Sequence, residues 1–380
     1  MKPAVKRFLC AAFVFAVSVD AGGAGLIPDF QEEFEREVAA NKVPGAAYAI
    51  IKNGKVVALR VHGTRAVDAE LPVTSATVFR LASVSKTFAA DLAAILAAEK
   101  KLDLEAPITK FVPELKFKKP DHARGIKLRH ILSQSTGITP NAYDNMLEDG
   151  WGLQKILPRF NRIEPMCAPG KCYGYQNILY SLIEPAIEQS TGEDYAKLVA
   201  ERLLEPLEME HASLGLEAYL SAGNKAEPHV FTRRDGWSRV MVKPNYYRVA
   251  PAAGVNASID DLAKWVIAQM GYNQAVLSPA VLDTVSAKRV TTKRELLRRS
   301  WRKHLTAAHY GFGWRIYRMG EHDVVLHSGG VRGFRSFVSY STETGTGFAI
   351  VMNAQTRTID RLAATFWDRA LRESDTAQAR

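Results

Sequence analysis

The chain has 380 residues, of which 47% are hydrophobic and 24% charged, and its formal net charge is +10 at pH 7. These fractions are typical of a globular protein and exclude an intrinsically disordered chain, a collagen and a coiled coil. The length allows two domains, or one domain with a large insertion.

The first 24 residues have the pattern of a secretory signal peptide. Lys2, Lys6 and Arg7 precede an apolar run at residues 8–19, and small residues follow it. That run is too short to span a bilayer, and no longer uncharged apolar stretch occurs, so we expect no stable membrane span. Removal of residues 1–24 implies a periplasmic or secreted protein, and a short uncleaved anchor is the alternative.

A helix and a hairpin are predicted next. Residues 29–41 carry apolar side chains at helical spacing, and Asp29 is the expected N-cap. Residues 46–52 and 55–62 are β-prone and are joined by Asn53-Gly54, a dipeptide that strongly favours a two-residue hairpin turn.

The middle of the chain is mostly helical in its periodicity, and the C-terminal part returns to strands. Helices are predicted at 88–96, 178–189, 195–204 and 260–270, strands at 323–327, 335–341 and 347–353, and a last helix at 358–372. We therefore predict one α/β (α+β) domain from residues 25–82 and 300–380, holding a mainly helical domain, 83–299, with the active-site cleft between them.

Two cysteines remain in the expected mature chain, Cys167 and Cys172. In an exported protein the pair could close a small loop, and two free thiols are the alternative. No histidine lies in an H-x-H or H-E-x-x-H arrangement, and the chain has neither a P-loop nor G-x-G-x-x-G. We expect no metal and no organic cofactor.

Positive charge is concentrated in residues 288–303, where Glu295 is the one acidic residue among eight basic ones. This segment is interpreted as a solvated charged helix, with contact to an anionic envelope surface or an acidic substrate as the alternative. The rest of the mature chain is nearly neutral, and no nucleic-acid-binding fold is recognisable, so we expect no nucleic-acid partner.

The first chemical signal is an S-x-x-K motif that runs from Ser83 to Lys86. If a helix begins near Ser83, both side chains lie on one face, with the ammonium near the hydroxyl. A lysine can accept the serine proton when burial and neighbouring positive charge lower its pKa. Because residues 300–303 also fit S-x-x-K, the motif alone does not identify a nucleophile.

The segment 79–88 is very similar to the nucleophile segment of class C β-lactamases and their relatives, the penicillin-recognising carboxypeptidases and serine esterases. The resemblance covers about residues 40–355 in family order, with similar segments at 43–46, 102–108, 129–137, 168–170, 175–177, 258–263, 310–314 and 327–330. It implies a β-lactamase/transpeptidase-like fold, in which helices flank an antiparallel sheet and an all-helical domain is inserted.

The resemblance also implies roles for individual residues. Ser83 is then the acyl-accepting nucleophile and Lys86 its base partner. Tyr175 matches the tyrosine of a Y-x-N motif that passes the proton to the leaving group, and Asn177 matches the amide that holds the substrate. Tyr143 begins a competing Y-x-N motif. Tyr175 is preferred because Pro-Gly precedes it and a helical run follows it, as in the family.

A third motif departs from the β-lactamase pattern. His327 stands where those enzymes carry the lysine of K-T-G, and histidine is largely neutral at pH 7. The resemblance implies that His327 and Ser328 contact the substrate and that the backbone N–H groups of Ser83 and Gly330 form the oxyanion hole. Glycine at 330 would allow the strand edge to approach the substrate closely.

Substrate choice follows from the missing lysine. Only Arg332, Arg335 or the segment 288–303 could supply positive charge for a substrate carboxylate. We therefore expect weak β-lactam turnover beside esterase or peptidase activity, and faster β-lactam hydrolysis at pH 8 in a His327→Lys variant.

The sequence thus predicts an exported serine hydrolase that forms an acyl-enzyme on a small-molecule or peptidoglycan-derived substrate, a β-lactam or a D-alanyl peptide. A carboxylesterase of the same fold is the alternative. The non-enzymatic alternative is a penicillin-binding-type domain that only binds cell-wall fragments. The absence of G-x-S-x-G argues against an α/β-hydrolase.

Overall fold

A computed structural model describes residues 25–378, so the predicted signal peptide lies outside the described residues. In this range the strands are β1 (Gly45–Lys52), β2 (Lys55–Ala66), β3 (Ala69–Pro72), β4 (Phe79–Arg80), β5 (Ser213–Leu214), β6 (His229–Thr232), β7 (Gly236–Arg239), β8 (Val255–Ala257), β9 (Val290–Thr291), β10 (Ala307–Tyr310), β11 (Arg315–Met319), β12 (His322–Val331), β13 (Phe334–Ser341) and β14 (Thr346–Met352). The α-helices are α1 (Leu26–Ala40), α2 (Ser85–Ala98), α3 (His122–Gly125), α4 (Leu128–Leu132), α5 (Asp144–Glu148), α6 (Leu153–Ile156), α7 (Ile183–Thr191), α8 (Tyr195–Val199), α9 (Leu216–Ser221), α10 (Ala250–Ala253), α11 (Ile259–Ile267), α12 (Pro279–Ser286) and α13 (Thr358–Gln378).

The main sheet has nine antiparallel strands in the order β3-β2-β1-β14-β13-β12-β11-β10-β9. β1 and β2 form the predicted hairpin, whose turn residues Asn53 and Gly54 both have positive φ, 48° and 75°, as a two-residue turn of this kind needs. β1 pairs with β14, so that Ala46 lies opposite Met352. An antiparallel sheet built from both ends of the chain and flanked by helices confirms the predicted fold class.

Helices cover both faces of this sheet. α1 and α13 pack on one face, where the ring of Phe348 stacks on Phe366 at 4.3 Å between centroids and meets Phe30 edge-on at 5.2 Å. α2 and α11 pack on the other face, where Phe88 stacks on Trp265 at 3.9 Å. Successive β1 side chains alternate between these two cores.

The chain between the two halves of the sheet is mainly helical, and it contains two small sheets as well, β4-β8-β5 and β6-β7. β4 directly precedes the turn that leads into α2, and it pairs with β8. β8 also contacts the start of that turn, where Leu81 N donates to the Val255 carbonyl at 3.0 Å. This small sheet therefore anchors the S-x-x-K segment to the helical part of the molecule.

Two local predictions were wrong. α1 begins at Leu26, and Asp29 lies inside its first turn instead of capping it. Pro28 fits this earlier start because a first-turn residue needs no backbone N–H, and Asp29 still faces the positive end of the helix dipole.

Residues 288–303 are not a charged helix. They contain β9 and a five-residue 3₁₀ turn, Lys293–Leu297. Glu295 is buried within that turn and accepts from Arg298 at 3.2 Å. Its carboxylate also lies 3.5 Å from Arg315 on β11, so this acidic residue connects the segment to the main sheet.

Two remaining sequence questions concern the cysteines and the membrane. Cys167 and Cys172 form a disulfide, the first of the two alternatives. Within residues 25–378 no helix is both long and apolar enough to cross a membrane.

Candidate active site

Ser83 and Lys86 lie side by side where a 3₁₀ turn, Ala82–Val84, continues directly into α2. Ala82 has φ of 55°, a left-handed conformation that a non-glycine residue rarely adopts and that is typical of functional turns. Lys86 Nζ is 3.4 Å from Ser83 Oγ. The lysine is fully buried, whereas Ser83 is half-buried and reachable.

The surroundings of Lys86 disfavour its charge. Burial lowers the pKa of the Lys86 ammonium, Tyr175 and Asp144 oppose that decrease, and the nearby positive charge of Arg315 adds to it. Nζ donates to Asn177 Oδ1 at 2.7 Å and to the Ala252 carbonyl at 3.0 Å. A neutral amine has two N–H groups, which match these two acceptors, and its lone pair then remains for the Ser83 hydroxyl.

Tyr175 lies beside this pair, and Tyr143 does not. Lys86 Nζ is 4.8 Å from the centre of the Tyr175 ring, which is 6.4 Å from the ring of His327. The Tyr143 hydroxyl instead donates to the Arg159 carbonyl at 2.7 Å. Of the two Y-x-N motifs, the structure places the second one next to the S-x-x-K segment.

Asn177 is held between Lys86 and a carboxylate that sequence reasoning missed. Its Nδ2 donates to Asp144 Oδ2 at 2.7 Å, and burial raises the pKa of Asp144. Asp144 is the central residue of the competing Y-x-N motif that begins at Tyr143. That motif therefore does lie at the site, but it contributes its carboxylate and not its tyrosine. Its spacing from Asn177 offered no signal for the contact.

The His327 motif lies along an open strand edge. On one side, β12 pairs with β13 as far as Val331. On the other side, β12 pairs with β11 only as far as Leu326, which lies opposite Arg315. The segment 327–331 therefore has no strand on its second side within the described chain. Ser328, half-buried, and Gly330, exposed, lie on this segment.

Gly329 is the glycine that allows the strand to approach the Ser83 turn. A Cβ there would overlap the Leu81 carbonyl oxygen and lie 2.9 Å from Ser83 N. At Gly330 the nearest atom would be the Arg335 side chain, 3.1 Å away. Close packing thus requires glycine at 329, one residue earlier than predicted.

His327 is fully buried and neutral. Its Nδ1 donates to the Ser328 carbonyl at 2.9 Å, since a carbonyl can only accept. Nε2 then accepts from the Tyr310 hydroxyl at 3.1 Å and from Arg315 Nη1 at 3.0 Å. Burial, and after it the positive charge of Arg315, hold the pKa of His327 well below its usual range.

Arg315 supplies the buried positive charge of this site, and sequence reasoning missed it. Its Nε is 3.5 Å from Glu295 Oε1, and its guanidinium lies 5.2 Å from the centre of the Tyr175 ring. The two arginines proposed from the sequence do not contact His327 and lie beyond it, beside Gly330. Arg332 is exposed, and Arg335 donates to the carbonyls of residues 331 and 334 at 3.0 and 2.7 Å. The isolated acid Glu295 among basic residues was the available signal for a buried arginine partner.

This environment changes the expected result of His327→Lys. A lysine cannot accept from Tyr310 and Arg315, and it would bring a second cation against Arg315. We expect the substitution to lower the free energy of unfolding by about 1–3 kcal/mol, measured by chemical denaturation. His211→Lys, at an exposed position, is the control and should stay within about 0.5 kcal/mol. An unchanged stability together with faster nitrocefin turnover would contradict this prediction.

The comparisons with known proteins agree with this geometry. The family model described as Beta-lactamase matches residues 30–372, and the chain belongs to this family of serine hydrolases. Among residues 25–378, no three His, Cys, Asp or Glu side chains are grouped to hold a metal ion.

Individual relatives are distant. Protein flp of Staphylococcus aureus (strain NCTC 8325 / PS 47) is 25% identical over 331 residues, which are 86% of this chain and 63% of that protein, so the chain spans less than two thirds of this relative's length. A protein named Beta-lactamase from Pseudomonas fluorescens is 24% identical over 85% of this chain and 92% of its own length.

Solved structures show the same fold. The octameric penicillin-binding protein homologue from Pyrococcus abyssi superposes with a TM-score of 0.78 and 24% sequence identity. The match covers 91% of this chain and 77% of the homologue's chain. A D-stereospecific amidohydrolase from Streptomyces sp. has a TM-score of 0.69 and 21% identity, covering 86% of this chain and 94% of its own.

Proposed function

We propose that the protein is an exported serine hydrolase that works through an acyl-enzyme. The observation that carries this proposal is Ser83 Oγ at 3.4 Å from the Nζ of a fully buried lysine whose pKa is lowered. Such a lysine can take the hydroxyl proton that makes serine a weak nucleophile.

The reaction has two acyl transfers. Ser83 Oγ attacks the substrate carbonyl while Lys86 accepts its proton, and the backbone N–H groups of Ser83 and Gly330 stabilise the oxyanion. The carbonyl-to-leaving-group bond breaks as Tyr175 delivers a proton to the departing nitrogen or oxygen, and Lys86 restores the tyrosine proton. Water then attacks the Ser83 ester and loses a proton to the same groups, which deliver it to Ser83 Oγ as the carbonyl-to-Oγ bond breaks and the acid is released.

The substrate carries an amide or ester carbonyl. A β-lactam or a D-alanyl peptide is supported by the family and by the names of the neighbours, a penicillin-binding protein homologue and a D-stereospecific amidohydrolase. A carboxylesterase is the second candidate. It is favoured by the neutral, buried His327, which leaves no cationic side chain at the position of the K-T-G lysine.

Export is supported by two features of the chain. The residues before position 25 have the basic and apolar pattern of a signal peptide. The disulfide between Cys167 and Cys172 is a bond that persists in oxidising compartments. The proposed location is therefore the periplasm or the exterior of the cell.

Turnover of three substrates by one preparation tests the function: nitrocefin, a D-alanyl-D-alanine peptide and a short-chain p-nitrophenyl ester. We expect measurable ester or peptide hydrolysis and slow nitrocefin turnover. A domain that only binds cell-wall fragments would turn over none of the three and would form no covalent adduct with a fluorescent penicillin or a fluorophosphonate, and that result would overturn the proposal.

A further inference from the structure

A strongly basic cleft opens beyond Gly330, at the far end of the open strand edge. It has a volume of about 560 Å³, and we call it the arginine cleft. Four basic side chains and one acidic side chain line it, namely Arg80, Lys243, Arg332, Arg335 and Glu148. In the described part of the chain, none of the four basic residues is in an ion pair.

Arg80 is the most informative of these residues. Only 4% of it is exposed, and its guanidinium lies 4.1 Å from the centre of the Tyr247 ring. Its Nε and Nη2 have no hydrogen-bond partner among residues 25–378. Burial of a charged group is unfavourable unless it is paired. Arg80 lines the cleft, so an anion bound there would lie beside this buried guanidinium and offset its positive charge.

The one carboxylate of the cleft does not serve as that partner. Glu148 Oε1 accepts from the Tyr246 hydroxyl at 2.9 Å, and Glu148 forms no ion pair with Arg80 within the described residues. Arg332 and Lys243 are exposed at the rim. The cleft therefore presents donors and positive charge to a ligand that enters from solvent.

The order of residues along β12 indicates which part of the substrate would face this cleft. His327, next to Tyr175, lies before the point where Gly329 meets the Ser83 turn, and the cleft-lining residues Gly330 and Arg332 lie after it. The leaving group has to lie near Tyr175, since that residue delivers its proton in the proposed mechanism. The acyl part of the substrate then extends toward the arginine cleft.

We propose that the arginine cleft binds a carboxylate on the acyl part of the substrate, so that the preferred acyl groups are half-esters or half-amides of a dicarboxylic acid. This inference rests on the proposed function. β12 ends at Val331, and Arg332 follows in the turn to β13. Two residues span at most about 7 Å of chain, so Arg332 stays within reach of a short diacid of succinyl to adipyl length bound at Gly330. Arginine pairs with carboxylates in a fixed fork geometry.

A pair of esters with the same leaving group tests the proposal: the p-nitrophenyl half-ester of glutaric acid and p-nitrophenyl pentanoate. The two acyl groups have equal chain length and differ in charge. We expect the wild type to have the higher kcat/KM for the glutarate ester, and Arg80→Met to lower that value by about 10- to 100-fold, the effect of a lost hydrogen bond to a charged group. The pentanoate value should fall much less, and added salt should weaken the preference of the wild type.

Two further variants keep the test sharp. Arg332→Gln lies at the exposed rim, so it reports on the cleft even if Arg80→Met does not fold, and it should also reduce the glutarate-to-pentanoate ratio. Arg36→Gln, an exposed arginine on α1, should keep the ratio. Spontaneous hydrolysis of the glutarate ester is subtracted with the Ser83→Ala protein.

The possible outcomes separate the two proposals. Hydrolysis of pentanoate with no preference for glutarate, or a ratio unchanged in both cleft variants, overturns the carboxylate site and leaves the serine hydrolase standing. If neither ester acylates the wild-type protein, as judged by intact mass, the proposed function itself fails.

Discussion

Replacement of Ser83 by alanine is expected to abolish acyl-enzyme formation and to lower hydrolysis by about four orders of magnitude or more. The substitution removes the proposed nucleophilic oxygen, while Lys86 and the strand edge remain. Among residues 25–378 the Ser83 hydroxyl has one hydrogen-bond contact, with Lys86 at 3.4 Å, so the folded structure should change little. Intact-mass spectrometry after incubation with a fluorophosphonate measures the adduct, and a thermal melt measures the stability.

The second S-x-x-K sequence provides the matched control for Ser83→Ala. Ser300 precedes Trp301, which packs against the rings of Tyr317 and Phe337 in the core under α1 and α13. Ser300→Ala should therefore form the adduct at the rate of the wild type. An adduct of the same mass on the Ser83→Ala protein would move the nucleophile elsewhere.

Replacement of Tyr175 by phenylalanine should slow acylation by about a hundredfold or more, the effect of one lost general acid–base group. The ring, which lies near Lys86, Arg315 and His327, is kept, so the packing around these three residues should persist. Pre-steady-state release of p-nitrophenol measures the acylation step separately from deacylation.

Tyr143→Phe is the matched control for Tyr175→Phe, because it removes the same hydroxyl from the competing motif. Its hydroxyl donates to the Arg159 carbonyl, so we expect a loss of about 1 kcal/mol in the free energy of unfolding and an unchanged acylation rate. If Tyr143→Phe slowed acylation more than Tyr175→Phe did, the proton-transfer role would pass to Tyr143.

The parts of the fold that depend on local sequence were predictable. Asn53-Gly54 fixes a turn that few other residues adopt, and the strands on both sides are held by that turn. The start of α1 was misplaced because Asp29 is a good cap and Pro28 a good first-turn residue, and these two local preferences favour different starting points.

The parts of the site that depend on strand register were not predictable in the same way. Arg315 reaches His327 because β11 lies beside β12, with Arg315 opposite Leu326. No spacing along the chain encodes that neighbour relation. The contact between Asn177 and Asp144 is equally nonlocal. The Ser83–Lys86 pair, in contrast, is three residues apart on one helical turn, and the sequence alone was enough to place these residues together.

The pairing of β1 with β14 also bears on how the protein is made. Ala46 and Met352 are neighbours in space, yet nearly the whole chain must be synthesised before they can meet. Contacts of such long sequence separation form slowly, because the loop between them must close first. Until β14 arrives, the hairpin of β1 and β2 has an unpaired inner edge, and β13 lacks its partner on the other side. The Ser83 turn packs against β12 and β13, two strands from the last fifth of the chain, so we expect the cleft beside Ser83 to form late in the synthesis and folding of a new chain.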